Sequence, residues 1–396
     1  MGAAMTRTRS HRRSKKQAGF SLLELMVSLT AGAIVVGAVY YVGGASARQF
    51  QEQQRIANLQ TSVRLGMDQI VRDIERAGYL ASGNSRRDQV CIPPPTYIQA
   101  LEFEDDADSA KIPAAVANGV SADRLTLVGS YSSPDQFFAT GLDAAGDTVF
   151  LQTTWQAYRR NFGVPTDTSA GNPFTAMFAP GRLLHIRTNA GNNFYVTITG
   201  SSAAAGSIDF TPTLTVGGQC VGGLMDGATV SVLTKIQYRA ADLSDFSSTS
   251  LAASAGAANL GGMPSFLIRQ ELSFATPAVP VQNSERVVLE YLADFNLSFI
   301  LDQQPLATLP PAPTPFTGAL AAPLLQNVNL SVAATPERVR SVLVSLSART
   351  AEQDPNFPAV ARAPGAPLTR YQLNPALTGA ARVRTLQTEV FTRNIR

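Results

Sequence analysis

Glu24 is the residue with the clearest chemical burden. It is the only charge in residues 20–47, FSLLELMVSLTAGAIVVGAVYYVGGASA. A carboxylate deep in a bilayer costs roughly 2.5–3.5 kcal/mol on insertion scales, and such residues usually serve a function. The chemistry open to it in apolar surroundings is pairing with a buried cation. Other groups offer less. Glu102, Glu104, Asp105, Asp106 and Asp108 form an acidic run. They carry the oxygens calcium takes, but not at EF-hand spacing, so the run reads either as a solvated loop or as a calcium site. Cys91 and Cys220 are the two cysteines. They read either as a disulfide or as two separate buried thiols, depending on whether their Cα atoms come within bonding range. His185, in Leu183-Leu184-His185-Ile186, reads as a structural strand residue. There is no Walker loop, HExxH or G-x-S-x-G motif, and two cysteines with His185, the one histidine beyond residues 1–19, do not make a zinc cluster. No catalytic or cofactor-binding set emerges. The chain reads as non-enzymatic and without a cofactor.

The elements that position Glu24 begin with a basic segment. Residues 1–19 carry Arg7, Arg9, Arg12, Arg13, Lys15 and Lys16 and no acid. An apolar helix of about 20 residues spans the hydrocarbon core, and the positive-inside rule keeps its basic flank cytoplasmic. Everything after Arg48 is then expected on the periplasmic side, where an oxidising compartment allows a disulfide. Three readings compete. A signal peptide finds a small-x-small cleavage site at Ala45-Ser46-Ala47. Against it, the apolar run exceeds the usual core of roughly 7–15 residues and contains an acid. An uncleaved anchor leaves Glu24 unexplained.

The third reading accounts for Glu24. Lys15-Lys16-Gln17-Ala18-Gly19-Phe20-Ser21-Leu22-Leu23-Glu24 resembles the class III signal of type IV prepilins and type II secretion pseudopilins. In that family a membrane prepilin peptidase cuts after the glycine and methylates the new terminal phenylalanine. The resemblance implies a leader of residues 1–19 ending at Gly19, and Phe20 as the methylated terminus. Gly19 suits the cut, because a residue without a side chain gives a protease close access to the backbone. A start at Met5 would shorten the leader. Cleavage would remove six positive charges and expose an amine at a helix N-terminus, where the dipole is also positive. Pairing that amine with Glu24 of a neighbouring subunit relieves two buried charges at once. Glu24 then acts as an assembly-register device, the role the family assigns its equivalent glutamate.

The helical pattern continues past the apolar run. Ile56, Leu59, Val63, Met67, Ile70 and Ile74 recur at spacings of 3, 4, 4, 3 and 4, which mark one helix face. Asp68 and Arg72 stand at the favourable i, i+4 spacing. One helix is expected from about Phe20 to Ala77, with Gly78 as C-cap, or roughly 87 Å of rise. Residues 20–47 form its membrane or filament-core part and residues 48–78 its amphipathic part. Gly32, Gly37, Gly43 and Gly44 lower helix propensity and allow close helix packing.

Beyond residue 80 the period changes to that of strands. Leu125–Val128, Phe194–Thr199, Val230–Tyr238, Arg286–Tyr291, Phe295–Ile300 and Val339–Ser347 alternate or run apolar in the manner of β-structure. Long loops are expected at 241–265, 303–324 and 351–380. The fold class is α+β: a long N-terminal helix, transmembrane then amphipathic, packed on an antiparallel β-sheet head of residues 79–396. Residues 90–230 read as an elaboration of that head.

A looser resemblance covers residues 235–396. Lys235-Ile236-Gln237-Tyr238 with Phe266-Leu267-Ile268-Arg269-Gln270-Glu271 looks like a strand pair of the PilW minor pilins. Arg286–Phe299, Arg338–Arg349 and the ending Val390-Phe391-Thr392-Arg393-Asn394 are similar to that family's later strands. The pseudopilin GspJ has a similar layout. This implies a minor pilin, active in filament initiation or at the tip. Implied partners are other minor and major pilins, the inner-membrane assembly platform and a tip adhesin. The alternatives are a type II secretion pseudopilin, or an adhesin or DNA-uptake module carried on the pilus.

Charge bears on that last alternative. The net charge of +3 becomes −3 once the leader is removed. Residues 337–396 are locally +5, with nine arginines, and residues 20–336 are −8. The acidic balance argues against general nucleic-acid binding. The arginines serve either to dock subunits or to solvate strand faces.

Overall fold

The computed structural model describes residues 21–88, 97–163, 172–214, 227–246, 264–275, 277–302, 313–315, 336–360, 362, 366–374 and 376–395. Gly19, Phe20, Cys91 and Cys220, on which the processing and disulfide readings fall, lie outside these residues. The chain divides into two compact units, Met1–Arg55 and Ile56–Arg396.

Helix α1 runs from Leu22 to Glu75. Ser21 caps it: its Oγ accepts from the Glu24 N–H at 3.2 Å, and its carbonyl accepts from the Leu25 N–H. A serine at this place satisfies N–H groups that a helix start leaves without partners. In the first unit the apolar side chains Leu22, Leu23, Leu29, Ile34, Val35, Val39 and Tyr40 are all exposed. The helix is long and apolar enough to cross a membrane. In the second unit the expected stripe turns inward. Leu59, Val63, Met67, Ile70 and Ile74 are buried, while Leu65 is 64% exposed. Each buried side chain of this size contributes about 1.5–3 kcal/mol.

The helix ends two residues earlier than the sequence pattern suggests. The Ala77 N–H already bonds one residue tighter, to the Ile74 carbonyl, and the Gly78 N–H donates to the Val128 carbonyl at 2.8 Å. Gly78 has φ +77° and a Cβ there would collide with the Asn394 carbonyl. It is therefore a turn glycine spent on a close backbone approach, and its N–H bonds to a strand instead of capping the helix. Asn394 also donates its amide to the Glu75 carbonyl at 2.7 Å, so the C-terminal tail ties down the end of α1.

The strands are all antiparallel in their ladders. They are β1 Leu101–Glu104, β2 Arg124–Gly129, β3 Phe137–Leu142, β4 Thr148–Leu151, β5 Leu183–Arg187, β6 Asn193–Ser202 and β7 Ser207–Thr211. After them come β8 Thr229–Ala241, β9 Phe266–Leu272, β10 Arg286–Glu290, β11 Leu292–Asp302, β12 Pro313–Pro315, β13 Val339–Arg349, β14 Arg370–Tyr371 and β15 Ala381–Phe391. Two of the expected loops thus contain short strands, β12 and β14.

The 13-residue β8 organises the larger sheet. Its first half pairs with β3 and β5, which closes the path β8-β3-β4-β7-β6-β5 on itself. Its second half pairs with β2 and β9, extending to β1 and β10. The smaller sheet runs β12-β11-β13-β15-β14.

Among the described residues, two large cores follow from this division, beside two small clusters around Tyr195 and Phe266. The first joins the α1 stripe to Leu125, Tyr238, Leu267, Phe295, Phe299, Val342, Leu346 and Val390, drawing on both sheets. Gly66 makes that approach close, since a Cβ there would sit 3.2 Å from the Val288 carbonyl. The second core, with Phe137, Tyr158, Phe174, Phe178, Phe194 and Val232, comes from residues 137–232 and fills the closed path. Its aromatic rings pack in tilted and edge-to-face pairs, as with Tyr158 and Phe162, edge to face at 5.0 Å.

Candidate functional site

The described part of the N-terminal site begins at Ser21. Glu24 lies in the first turn of α1, where a negative charge suits the helix dipole. Its side chain is exposed and meets no partner among the described residues. The arrangement therefore leaves a carboxylate free, on a helix whose whole first part is apolar and exposed. Such a surface needs a second apolar phase to cover it, and a carboxylate placed in that phase needs a cation.

The acidic run does not converge on one point. Glu102 accepts from Lys235 Nζ at 3.0 Å, and Glu104 from Arg124 at 2.8 Å. Asp108 takes two bonds from Arg124, at 3.1 and 2.6 Å, a bidentate pairing that suits a guanidinium. Only Asp105 and Asp106 of the run come together, with Asp123, their oxygens within 4.8 Å of one another. Asp123 is 1% exposed. Its carboxylate accepts from the backbone N–H of Asp106 at 3.0 Å and of Leu297 at 2.7 Å. Burial pushes its pKa well up, against those bonds, and burial followed by the Asp106 charge raises that of Asp105. The group thus has a tethering role: it pins the 105–123 segment to β11. Nearby Asp294 does the same, accepting from the Ser121 N–H at 3.1 Å.

His185 is structural in its contacts. Nδ1 faces the Leu80 carbonyl at 3.0 Å and Nε2 faces the Asn193 amide at 2.9 Å. The ring stacks on Tyr195 at 4.7 Å. Burial lowers its pKa, which keeps it neutral. A neutral ring has one donor, so its N–H serves one of the two facing oxygens, the Leu80 carbonyl at Nδ1 or Asn193 Oδ1 at Nε2.

The C-terminal arginines divide between structural and open positions. Arg349 is fully buried, between the rings of Tyr291 and Tyr371 at 5.4 and 5.6 Å, and burial lowers its pKa to about 10. Arg370 and Arg382 both cover Phe357, and Arg362 donates to the Ala366 and Gly119 carbonyls. Arg384 and Arg393 are exposed.

A polar joint between α1 and the larger sheet is absent from the sequence reading. Asp73, 5% exposed, accepts at Oδ2 from Arg269 Nε and Tyr238 Oη, both at 2.6 Å, and from Gln69 at 3.2 Å. Tyr131 Oη donates to the Asp73 carbonyl at 2.8 Å. Burial, then the Asp73 charge, raises the pKa of Tyr238. One signal was available: Asp73 directly precedes Ile74 on the helix and flanks its apolar stripe.

The signature described as the prokaryotic N-terminal methylation motif matches residues 14–40, a span that includes Gly19, Phe20 and Glu24. No curated protein matches the chain. No solved structure matches it either.

Proposed function

We propose that this chain is a minor pilin of a type IV pilus. The single observation that carries the reading is the methylation motif at residues 14–40 running straight into a 54-residue helix. That motif belongs to type IV pilin-like and pseudopilin proteins, and the helix has the two parts such proteins need. Prepilin peptidase would cut between Gly19 and Phe20 and methylate Phe20. Residues 20–47 would hold the chain in the inner membrane, with the basic leader cytoplasmic and the head periplasmic, and later enter the filament. The head would be a structural, non-catalytic module of residues 79–396.

The PilW reading rests on the sequence resemblance of residues 235–396, whose segments form the β8–β9 and β13–β15 ladders. Of the elaboration expected at 90–230, the separate second core supports the part from Phe137 on, whereas Leu101, Phe103, Leu125 and Leu127 pack with α1 in the first core. A head of 318 residues is hard to repeat along a tightly packed helical shaft, which favours a place at the tip or in initiation. Other pilins, the assembly platform and a tip adhesin are the partners this reading implies.

Glu24→Ala tests the role of the carboxylate. The variant is expected to insert and be cleaved like the wild type but to be depleted from sheared filaments. Equal recovery of both chains from filaments would remove Glu24 from the account.

A further inference from the structure

One pocket of the second unit is strongly cationic. It lies where the C-terminal turns of α1 face β9 and β10, and holds about 560 Å³. Two of its five arginines are already neutralised. Arg269 pairs with Asp73 at 2.6 Å, and Arg182 forms a two-point pair with Glu271 at 2.7 and 3.0 Å. The other three, Arg72, Arg76 and Arg286, have no carboxylate partner among the described residues. Arg72 donates Nε to the backbone carbonyl of Asp68, not to its carboxylate as the i, i+4 spacing suggests. Arg76 donates to the Ser130 carbonyl and lies 5.7 Å from the Tyr131 ring centroid. Arg286 is exposed. The hydroxyl of Ser132, in the same lining, is buried and has no hydrogen-bond partner.

We propose that this pocket binds the carboxylates of an acidic peptide segment from a neighbouring protein. Guanidinium groups present paired donors that match a carboxylate in two-point fashion, and the Ser132 hydroxyl supplies a further donor. Leu65 lies in the same lining and is 64% exposed. It offers an apolar rest for a peptide stem that a hydrated inorganic ion does not need. Nucleic acid is disfavoured by shape. Its backbone calls for a groove that tracks several phosphates, whereas these cations gather at one pocket. The proposal stands whether or not the chain is a filament subunit.

The test uses the full chain in detergent micelles and fluorescence anisotropy of a rhodamine-labelled hexaglutamate peptide. Saturable, salt-sensitive binding is expected. The double variant Arg72→Gln/Arg286→Gln should weaken it at least about tenfold, and Arg384→Gln, on β15, should not. Unchanged circular dichroism shows that the variants are folded. Absence of saturable binding, or equal weakening by Arg384→Gln, overturns the proposal. So does tighter binding of a single-stranded oligonucleotide, or displacement of the peptide by inorganic phosphate at equal concentration, which would mark a free-anion site.

Discussion

Asp294 shows how a single carboxylate in this head responds to its surroundings. It is 8% exposed, and burial raises its pKa to about 6, against the bonds it accepts from Ser121 and Asn296. Its ordinary value is 3.8, so the folded chain holds this proton more tightly than the unfolded one. The associated stability is complete below about pH 4 and is lost as pH rises through about 6, a change of about 2–3 kcal/mol. Asp294→Asn retains an acceptor oxygen and removes the titration. In urea denaturation, the wild type should lose stability relative to the variant by that amount between those pH values. Parallel profiles would contradict the assignment. None of this was legible in the sequence, because the cause is burial against a segment 173 residues away. The same holds for Asp123. It stands alone in the chain, apart from the five acids that cluster at 102–108. Three of those, Glu102, Glu104 and Asp108, turn out to pair with Lys235 and Arg124. By contrast, Glu24 was readable at once, because a lone charge in an apolar run needs no tertiary context to stand out.

At the scale of elements, the second half of α1 is the strongest link between pattern and packing. Its apolar spacing is a local property, so the sequence carries it, and the buried stripe follows it from Leu59 through Val63, Met67 and Ile70 to Ile74, with Ile56 at its start only half-buried. Ile70→Ala should cost about 2–5 kcal/mol in the full chain, from lost transfer energy and the cavity left behind. Leu65→Ala, one turn away on the exposed side, should stay within about 0.5 kcal/mol. Chemical denaturation reads both, and equal losses would contradict the packing of this face. The strands were legible where they run long and apolar, as in β8 and β13. They were missed where they are short, as in β12 and β14, whose two or three residues carry no period. The end of α1 was misplaced for a different reason. Gly78 looks like a cap in sequence, but its N–H is claimed by Val128 from another element.

For the whole molecule, the sequence conveys an order of parts and little of how the later parts combine. It does not show that one strand, β8, serves both a closed set of strands and an open sheet, because strand partners are set by long-range ladders. Nor does it show two cores, since the residues of each look alike in composition. What it does convey is the N-terminal logic: a basic leader, a glycine, a phenylalanine and a glutamate before an apolar helix, matched as a methylation motif over residues 14–40. On the proposed account, cleavage there removes six positive charges and creates the amine that Glu24 needs. The most direct measurement is mass spectrometry of the N-terminus of the mature chain from its native host. The account predicts a chain that starts at N-methylated Phe20. A chain that starts at Arg48, after Ala45-Ser46-Ala47, or one that keeps residues 1–19, would contradict it.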